Sequence, residues 1–536
     1  MAISRVSLST FAQSMRSDIA GGKVIFLAGA GISMIPPSAF PSGFALKDLA
    51  VEALCTTRDL RRALNRARRN PRYATITPEI VFQRFHASLA QGSIRPFFNI
   101  FNCGVPNDVH KALAGFARAG SVLYTTNFDM LFEAAGAPRK RVEHLHGAVS
   151  RPASLVARIH QVRLGLPHKV EADFKRRLAG RTLCVLGYSG NDEEVRRAVT
   201  SSGLKRILWL TRDSNDWAWT NVPRYADRHP VQVANGDLCS LLTVSPASTL
   251  SISVNRQNVE TRQRIIAEWA QGTRLVDRYA CISELMFELD DFRGAYSISK
   301  RALEIARGTE LAGWFRIQMA DALKIMGQFA KAERLVRQAI RINNRLNDPY
   351  EIAGAYNNFG VFLTEKERPE PRRALPLLQR AVDACESVDL RKVDARRREG
   401  LKLVRGRALN NLGLTHETLR NYEIALDFYR KSLAAKCNVG DVLGEAKTLG
   451  NICIVEAIMN DPNAAESRER AFALMDKYEL WSQKAYVLRR LGKFACDQER
   501  TVDGRRLLKE ALDLYRSIGA MDFDKKLTEA ALRGCC

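Results

Sequence analysis

Five short runs in the first 240 residues are mainly apolar and rich in Val, Ile, Leu and Tyr: "KVIFLAG" (23–29), "SVLYTTN" (121–127), "TLCVLGY" (182–188), "RILWLT" (206–211) and "VQVAN" (231–235). Runs of this length, separated by helical text, predict a parallel sheet covered on both faces. About ninety residues between the first two runs hold no strand-like segment. "FALKDLAVEALC" and "PEIVFQRFHASLA" carry helical spacing there, so a helical insertion is expected over about 45–120. The Ser/Thr-rich "TVSPASTLSISVN" (243–255) reads as part of a linker over 244–258.

From 259 to 536 the pattern changes to helix formers with an internal repeat. "LDDFRGAYSISKRAL" (289–303), "MGQFAKAERLVRQAI" (326–340) and "LRNYEIALDFYRKSL" (419–433) share an aromatic residue followed by small residues at fixed offsets. Looser copies bring the series to about six, marked by Ala302, Ala339, Ala381, Ser432, Ala471 and Ala511 at spacings of 37, 42, 51, 39 and 40. "NNFG" (357–360), "NNLG" (410–413) and "RRLG" (489–492) precede three of them by half a repeat. Small residues at constant helical offsets let paired helices pack closely and bury an apolar stripe on the next pair. The segment resembles tetratricopeptide repeats of a long form, which implies a concave surface for another protein or peptide.

Composition narrows the setting. A chain of 536 residues is too long for one ordinary core. No uninterrupted apolar stretch reaches the ~18 residues of a membrane span, and the first residues lack a signal-peptide core. The expectation is a cytoplasmic protein without a membrane partner. Eleven cysteines include no Cys-x-x-Cys, so they read as reduced and mostly buried thiols. Net charge is +24, and residues 1–250 hold 33 basic against 18 acidic residues. The basic excess of that half includes "RRALNRARRNPR" (61–72). This run has no interleaved aromatics to stack on bases, so a solvated helix face near an anionic small ligand is preferred to a nucleic-acid partner.

The candidate chemistry lies at the ends of the strand-like runs. "GAGIS" (29–33) follows one run and opens toward a helix, the setting of a phosphate-binding turn. "TTNFD" (125–129), "HLHG" (144–147) and "GYSGND" (187–192) follow the others. Ligands of parallel sheets bind at the carboxyl ends of the strands, so the four loops are expected to converge. Three residues keep a structural alternative: Asn127 as a helix cap, His146 as a satisfied buried histidine, and Asp192 as an N-cap of the acidic turn after it. His144, two residues from His146, is set aside as facing the other way, and His110 as structural.

Taken in order over about residues 10–240, these motifs resemble the sirtuin family. The resemblance implies an α/β Rossmann-like sirtuin-type domain with a helical insertion, spanning 1–243 and followed by the all-α tetratricopeptide-like solenoid. It implies NAD as substrate, with cleavage of the nicotinamide–ribose bond. Gly29, Ala30, Gly31 and Ser33 match the family's pyrophosphate loop. Asn127 and Asp129 match the nicotinamide and ribose side, His146 the catalytic histidine, and Gly187 and Ser189 the adenosine-side loop; Thr126 and Asp192 are further cofactor-binding candidates, Asp192 toward a ribose. Asn127 and His146 are thus the expected catalytic pair.

The chain departs from sirtuin deacylases in having no cysteine over 148–183, where that group carries its zinc module, so no zinc is expected. Together with the repeats, this resembles bacterial sirtuin-like effectors of anti-phage defence, which hydrolyse NAD. The implied protein is an NAD glycohydrolase with a phage-derived or other activator at the repeats, and homo-oligomeric assembly as a further expectation. Protein deacylation, ADP-ribosyl transfer and non-catalytic nucleotide sensing are the alternatives.

Overall fold

A computed structural model of the chain describes residues 3–89, 94–213, 216, 218–242, 256–309, 311–366, 368–518 and 521–535. They form two compact units, Met1–Ala53 with Gly92–Gly272, and Leu54–Gln91 with Thr273–Cys536. Most of the expected linker lies outside the described residues.

The first unit is built on seven strands: β1 (Ile3–Arg5), β2 (Val24–Ala28), β3 (Val122–Thr125), β4 (Val142–His144), β5 (Thr182–Leu186), β6 (Arg206–Thr211) and β7 (Val231–Asn235). All neighbours are parallel, in the order β1-β7-β6-β5-β2-β3-β4. The five apolar runs become β2, β3, β5, β6 and β7. Their mainly apolar character has the expected cause, because both faces are buried. Ile25, Leu27, Tyr124 and Val185 pack into one core, and Phe26, Ala28, Leu123 and Cys184 into another with Phe11 and Met15. β1 and β4 were not foreseen; three residues each are too few to show a period. Strand order reverses at β2, which pairs with β3 on one side and β5 on the other. A crevice opens at such a switch point, beyond the carboxyl ends of the strands.

The helix Arg256–Gln271 belongs to this unit rather than to the repeats. Its Trp269 packs on Phe97, and Arg262 donates to the carbonyl oxygens of Ala39 and Ser38 at 2.7 and 3.2 Å. Arg262 therefore ties down the segment that follows the GAGIS turn.

In the second unit, described helices pair as Leu275–Glu288 with Phe292–Ile305, Leu311–Ile325 with Phe329–Leu346, Pro349–Glu365 with Pro371–Glu386, Ala395–Thr418 with Tyr422–Val439, Val442–Ile458 with Ala464–Lys477, and Trp481–Asp497 with Thr501–Ile518. The six small marker residues fall one on each second helix, and all are 0% exposed. The glycines of the half-repeat motifs explain the other offset. A Cβ on Gly360 would meet Leu378 at 2.4 Å, on Gly413 Tyr429 at 2.6 Å, and on Gly492 Leu508 at 2.9 Å. The long spacing of 51 is taken up by the 24-residue helix Ala395–Thr418.

Residues 54–91, read from sequence as part of an insertion in the sheet domain, cluster with the repeats. Their basic run has acidic partners there. Arg66 pairs with Asp291, and Arg72 Nη1 donates to Asp290 Oδ2 at 2.8 Å. Asn70 Nδ2 donates to the Leu289 carbonyl at 2.8 Å, and Arg84 pairs with Glu288. Part of the run read as a solvated face is thus a docking edge on the first repeat turn. The cysteine reading needs one correction as well. Cys496 and Cys535 are joined in a disulfide, since the terminal residues return to the helix Trp481–Asp497 and bring the two Cα atoms within 5.3 Å. Six of the other described cysteines are buried free thiols.

Candidate functional site

Four loops leave the carboxyl ends of β2, β3, β4 and β5, and hydrogen bonds tie each to the next. Gly29 N donates to Leu186 O at 3.0 Å and Gly31 N to Gly187 O at 2.8 Å. The backbones approach so closely that a Cβ on Gly29 would lie 2.5 Å from Gly187 O, and one on Gly31 would lie 2.8 Å from it. Gly187 itself has φ +58°, a conformation suited to glycine. The glycines were expected to admit a pyrophosphate; what the geometry requires of them is contact between two loops at the switch point. Gly147 is similar. Its φ is +79° and its missing side chain makes room for the Ser154 carbonyl rather than for a ligand.

Ser33 is the hub. It ends the short helix Ala30–Ser33, is 3% exposed, and its Oγ donates to Asp129 Oδ2 at 2.8 Å. The same oxygen accepts from Asn127 Nδ2 at 3.0 Å and lies 3.2 Å from His110 Nε2. Asn127 Nδ2 also donates to Gly29 O at 3.2 Å. Both N–H bonds of the Asn127 amide are therefore used inside the protein, and the group can offer a ligand only its carbonyl oxygen. Asn127 does not cap the following helix, whose N-cap position is Met130; Asp129 precedes it and accepts from Leu131 N at 3.1 Å. Burial pushes the Asp129 carboxyl up, against the Ser33 and Leu131 donors. Thr126 N donates to Ala28 O at 3.1 Å, holding the start of this loop to β2.

Two histidines set aside in the sequence sit against this network. His110 closes a capping box with Asn107 at the start of Asp108–Arg118, and burial holds its pKa down at about 3, so the ring reaching Ser33 is neutral. His144 ends β4, and its Nδ1 lies 2.9 Å from the Asn127 carbonyl oxygen. The available signal was spacing: His110 lies three residues after an Asn that can cap, and His144 lies on a short strand that the sequence pattern does not reveal.

His146 lies just beyond β4 and is buried, with Nε2 2.7 Å from Glu194 Oε1. Glu194 was not foreseen, being read only as a first-turn acid. Asp192 holds the N-cap position of Glu193–Thr200 but makes no side-chain capping bond, so capping does not account for its side chain. Tyr188, after β5, is buried, and burial with Asp192 nearby raises its phenol well above the usual range. Ala30 and Ser189 are exposed. The predicted residues thus gather beyond the carboxyl ends of the strands in two groups: Ser33, Asn127 and Asp129 on the loops after β2 and β3, and His146 with Asp192 on the loops after β4 and β5.

Residues 406–439 match the tetratricopeptide repeat family. No curated protein matches the chain. Among solved structures it is similar to a signal transduction ATPase with numerous domains and a tetratricopeptide repeat sensor from Pyrococcus horikoshii, at 13% identity over 97% of this chain and 94% of that one, with a TM-score of 0.34. It is also similar to the apo form of RapI, at 15% identity over 49% and 93% of the two chains and a TM-score of 0.37. Aspartyl phosphate phosphatase F from Bacillus subtilis follows at 12% identity, 70% and 92% coverage and a TM-score of 0.32. The chain thus carries a tetratricopeptide repeat within an array of paired helices, together with a parallel α/β sheet unit.

Proposed function

We propose that the chain is an NAD glycohydrolase whose repeats receive a protein trigger, phage-derived in the setting of anti-phage defence. The observation that carries this reading is the Asn127 amide, fixed through both N–H bonds at the switch point of a parallel sheet, with His146 on the adjoining loop. In the reaction the glycosidic C–N bond breaks and its electron pair passes to the ring nitrogen, so nicotinamide leaves neutral without a general acid. Water oxygen bonds to the sugar carbon and gives up a proton. Asn127 Oδ1 aligns the water or a ribose hydroxyl. His146, with Nε2–H donated to Glu194, accepts the proton on its other nitrogen. The sirtuin resemblance supplies the substrate, and the tetratricopeptide match supports a protein-binding role for the repeats.

The test is to incubate the full-length protein with NAD and follow nicotinamide, with and without extract of infected cells. Turnover that is lost in His146→Ala and Asn127→Ala supports the proposal. No turnover under any activating condition, or equal turnover in His146→Ala, removes it. Release that depends on an acylated peptide would indicate deacylation instead, and label from NAD on protein would indicate ADP-ribosyl transfer.

A further inference from the structure

Glu194 has a buried oxygen for which the proposed reaction supplies no partner. Its side chain is 1% exposed, and among the described residues its one ion-pairing partner is His146. Oε1 meets His146 Nε2 at 2.7 Å, but Oε2 is buried without a hydrogen-bond partner among the described residues. Arg196, on the same helix, pairs with Glu193 instead. The Glu194 carboxyl thus has a hydrogen bond at one oxygen only, and a buried polar atom left without a partner is costly. Asp192 adds a second carboxylate, and one ligand atom from each of His146, Asp192 and Glu194 lies within 4.8 Å of the others.

We infer that His146, Asp192 and Glu194 form a three-ligand site for a divalent transition-metal ion. One imidazole nitrogen with two carboxylate oxygens suits Zn²⁺ or Mn²⁺ better than Ca²⁺ or Mg²⁺, which favour oxygen alone. Bonds of about 2.0–2.2 Å in tetrahedral geometry place ligand atoms ~3.4 Å apart, a spacing between the 2.7 Å of His146 Nε2 to Glu194 Oε1 and the 4.8 Å span of the three groups. Asp192, half-buried on the loop before its helix, is the member placed to move. Three protein ligands leave a position for water, unlike a closed structural site. The ion gives Glu194 Oε2 its partner and offsets both carboxylates. It also competes with a proton for the His146 ring, so an occupied site would hold back the hydrolysis proposed above.

Binding is read without NAD. Full-length protein stripped with a chelator is titrated calorimetrically with Zn²⁺ and, separately, Mn²⁺, which has little affinity for thiols. The expected result is one saturable site for each ion, weakened more than about tenfold in Glu194→Gln and in Asp192→Asn, since even outer-shell losses reach that size. Circular dichroism establishes that each variant is folded. Should Glu194→Gln fail to fold, Asp192→Asn decides the matter. Absence of saturable uptake of either ion, or uptake of equal affinity in the folded variants, overturns the inference whether or not NAD is hydrolysed.

Discussion

His144 holds Asn127 by its backbone: Nδ1 donates to the Asn127 carbonyl oxygen at 2.9 Å while Nε2 meets Glu133 Oε1 at 3.1 Å. An acceptor at each nitrogen favours the imidazolium. Burial opposes the charge, but Glu133 and the Asn127 carbonyl outweigh it, and the pKa stands above the usual histidine value. Because the folded pKa is raised, the stability this ring contributes is full below the unfolded value of about 6.5 and fades as pH rises through the folded one. His144→Gln should therefore flatten the loss of stability above about pH 6.5, read by urea unfolding at a series of pH values. Nicotinamide release should fall in the same variant, because Asn127 loses its anchor.

Ser33→Ala removes one donor from Asp129 and one acceptor from Asn127, both buried. An orphaned buried acceptor costs about 1–3 kcal/mol. The sheet unit should lose stability on that scale in denaturant unfolding, and turnover should drop further than stability accounts for.

Lys436 is 2% exposed, and its Nζ donates to Thr448 Oγ1 at 2.6 Å. Burial brings its pKa down to about 7, against a smaller opposing pull from Asp441. Between that value and the unfolded ~10.4, the unfolded chain binds the extra proton, so stability rises with pH by up to about 1.4 kcal/mol per unit. Lys436→Met should abolish this slope in thermal or urea unfolding between pH 7 and 10.

Arg72 and Asp290 are 9% and 8% exposed, and burial lifts the Asp290 carboxyl to about 6 even beside the guanidinium. Arg72→Ala leaves that acid unpaired, at a cost of about 3–5 kcal/mol. Adding Asp290→Asn should recover part of the loss, and a double-mutant cycle in urea measures how much.

Gly413→Ala places a methyl 2.6 Å from the Tyr429 ring, whose hydroxyl is pinned to Glu417 at 2.7 Å. Overpacking by about 1–3 kcal/mol should exceed the ~1 kcal/mol gain in helix propensity. Gly354→Ala meets nothing within 4 Å and should be neutral or stabilising. Thermal melts of the two variants should shift in opposite directions, or only the first should shift.

The parallel sheet and the helix pairs were legible because each rests on a period or a run that repeats. Ala302 through Ala511 are all fully buried, as constant offsets require. Glu194 was not legible, since a first-turn glutamate is ordinarily solvated and only the fold brings His146 against it. The role of residues 54–91 was hidden for a similar reason. Asp290 and Asp291, which receive Arg72 and Arg66, lie more than two hundred residues away in sequence. The unnoticed strand β4 hid His144, because its partner Thr125 identifies the pairing and three residues do not.

The chain passes between its two compact units three times, after residues 53, 91 and 272. No single cut can liberate either one. A polypeptide ended at 272 would still contain the helix Pro78–Ser88 but not the Leu275–Glu288 helix it packs on, and Phe85, otherwise 0% exposed, would be bared. Such a fragment should be prone to aggregate. Exchanging the repeat array for that of another protein would take two grafts across three junctions, with the 54–91 segment travelling alongside its acceptor helices.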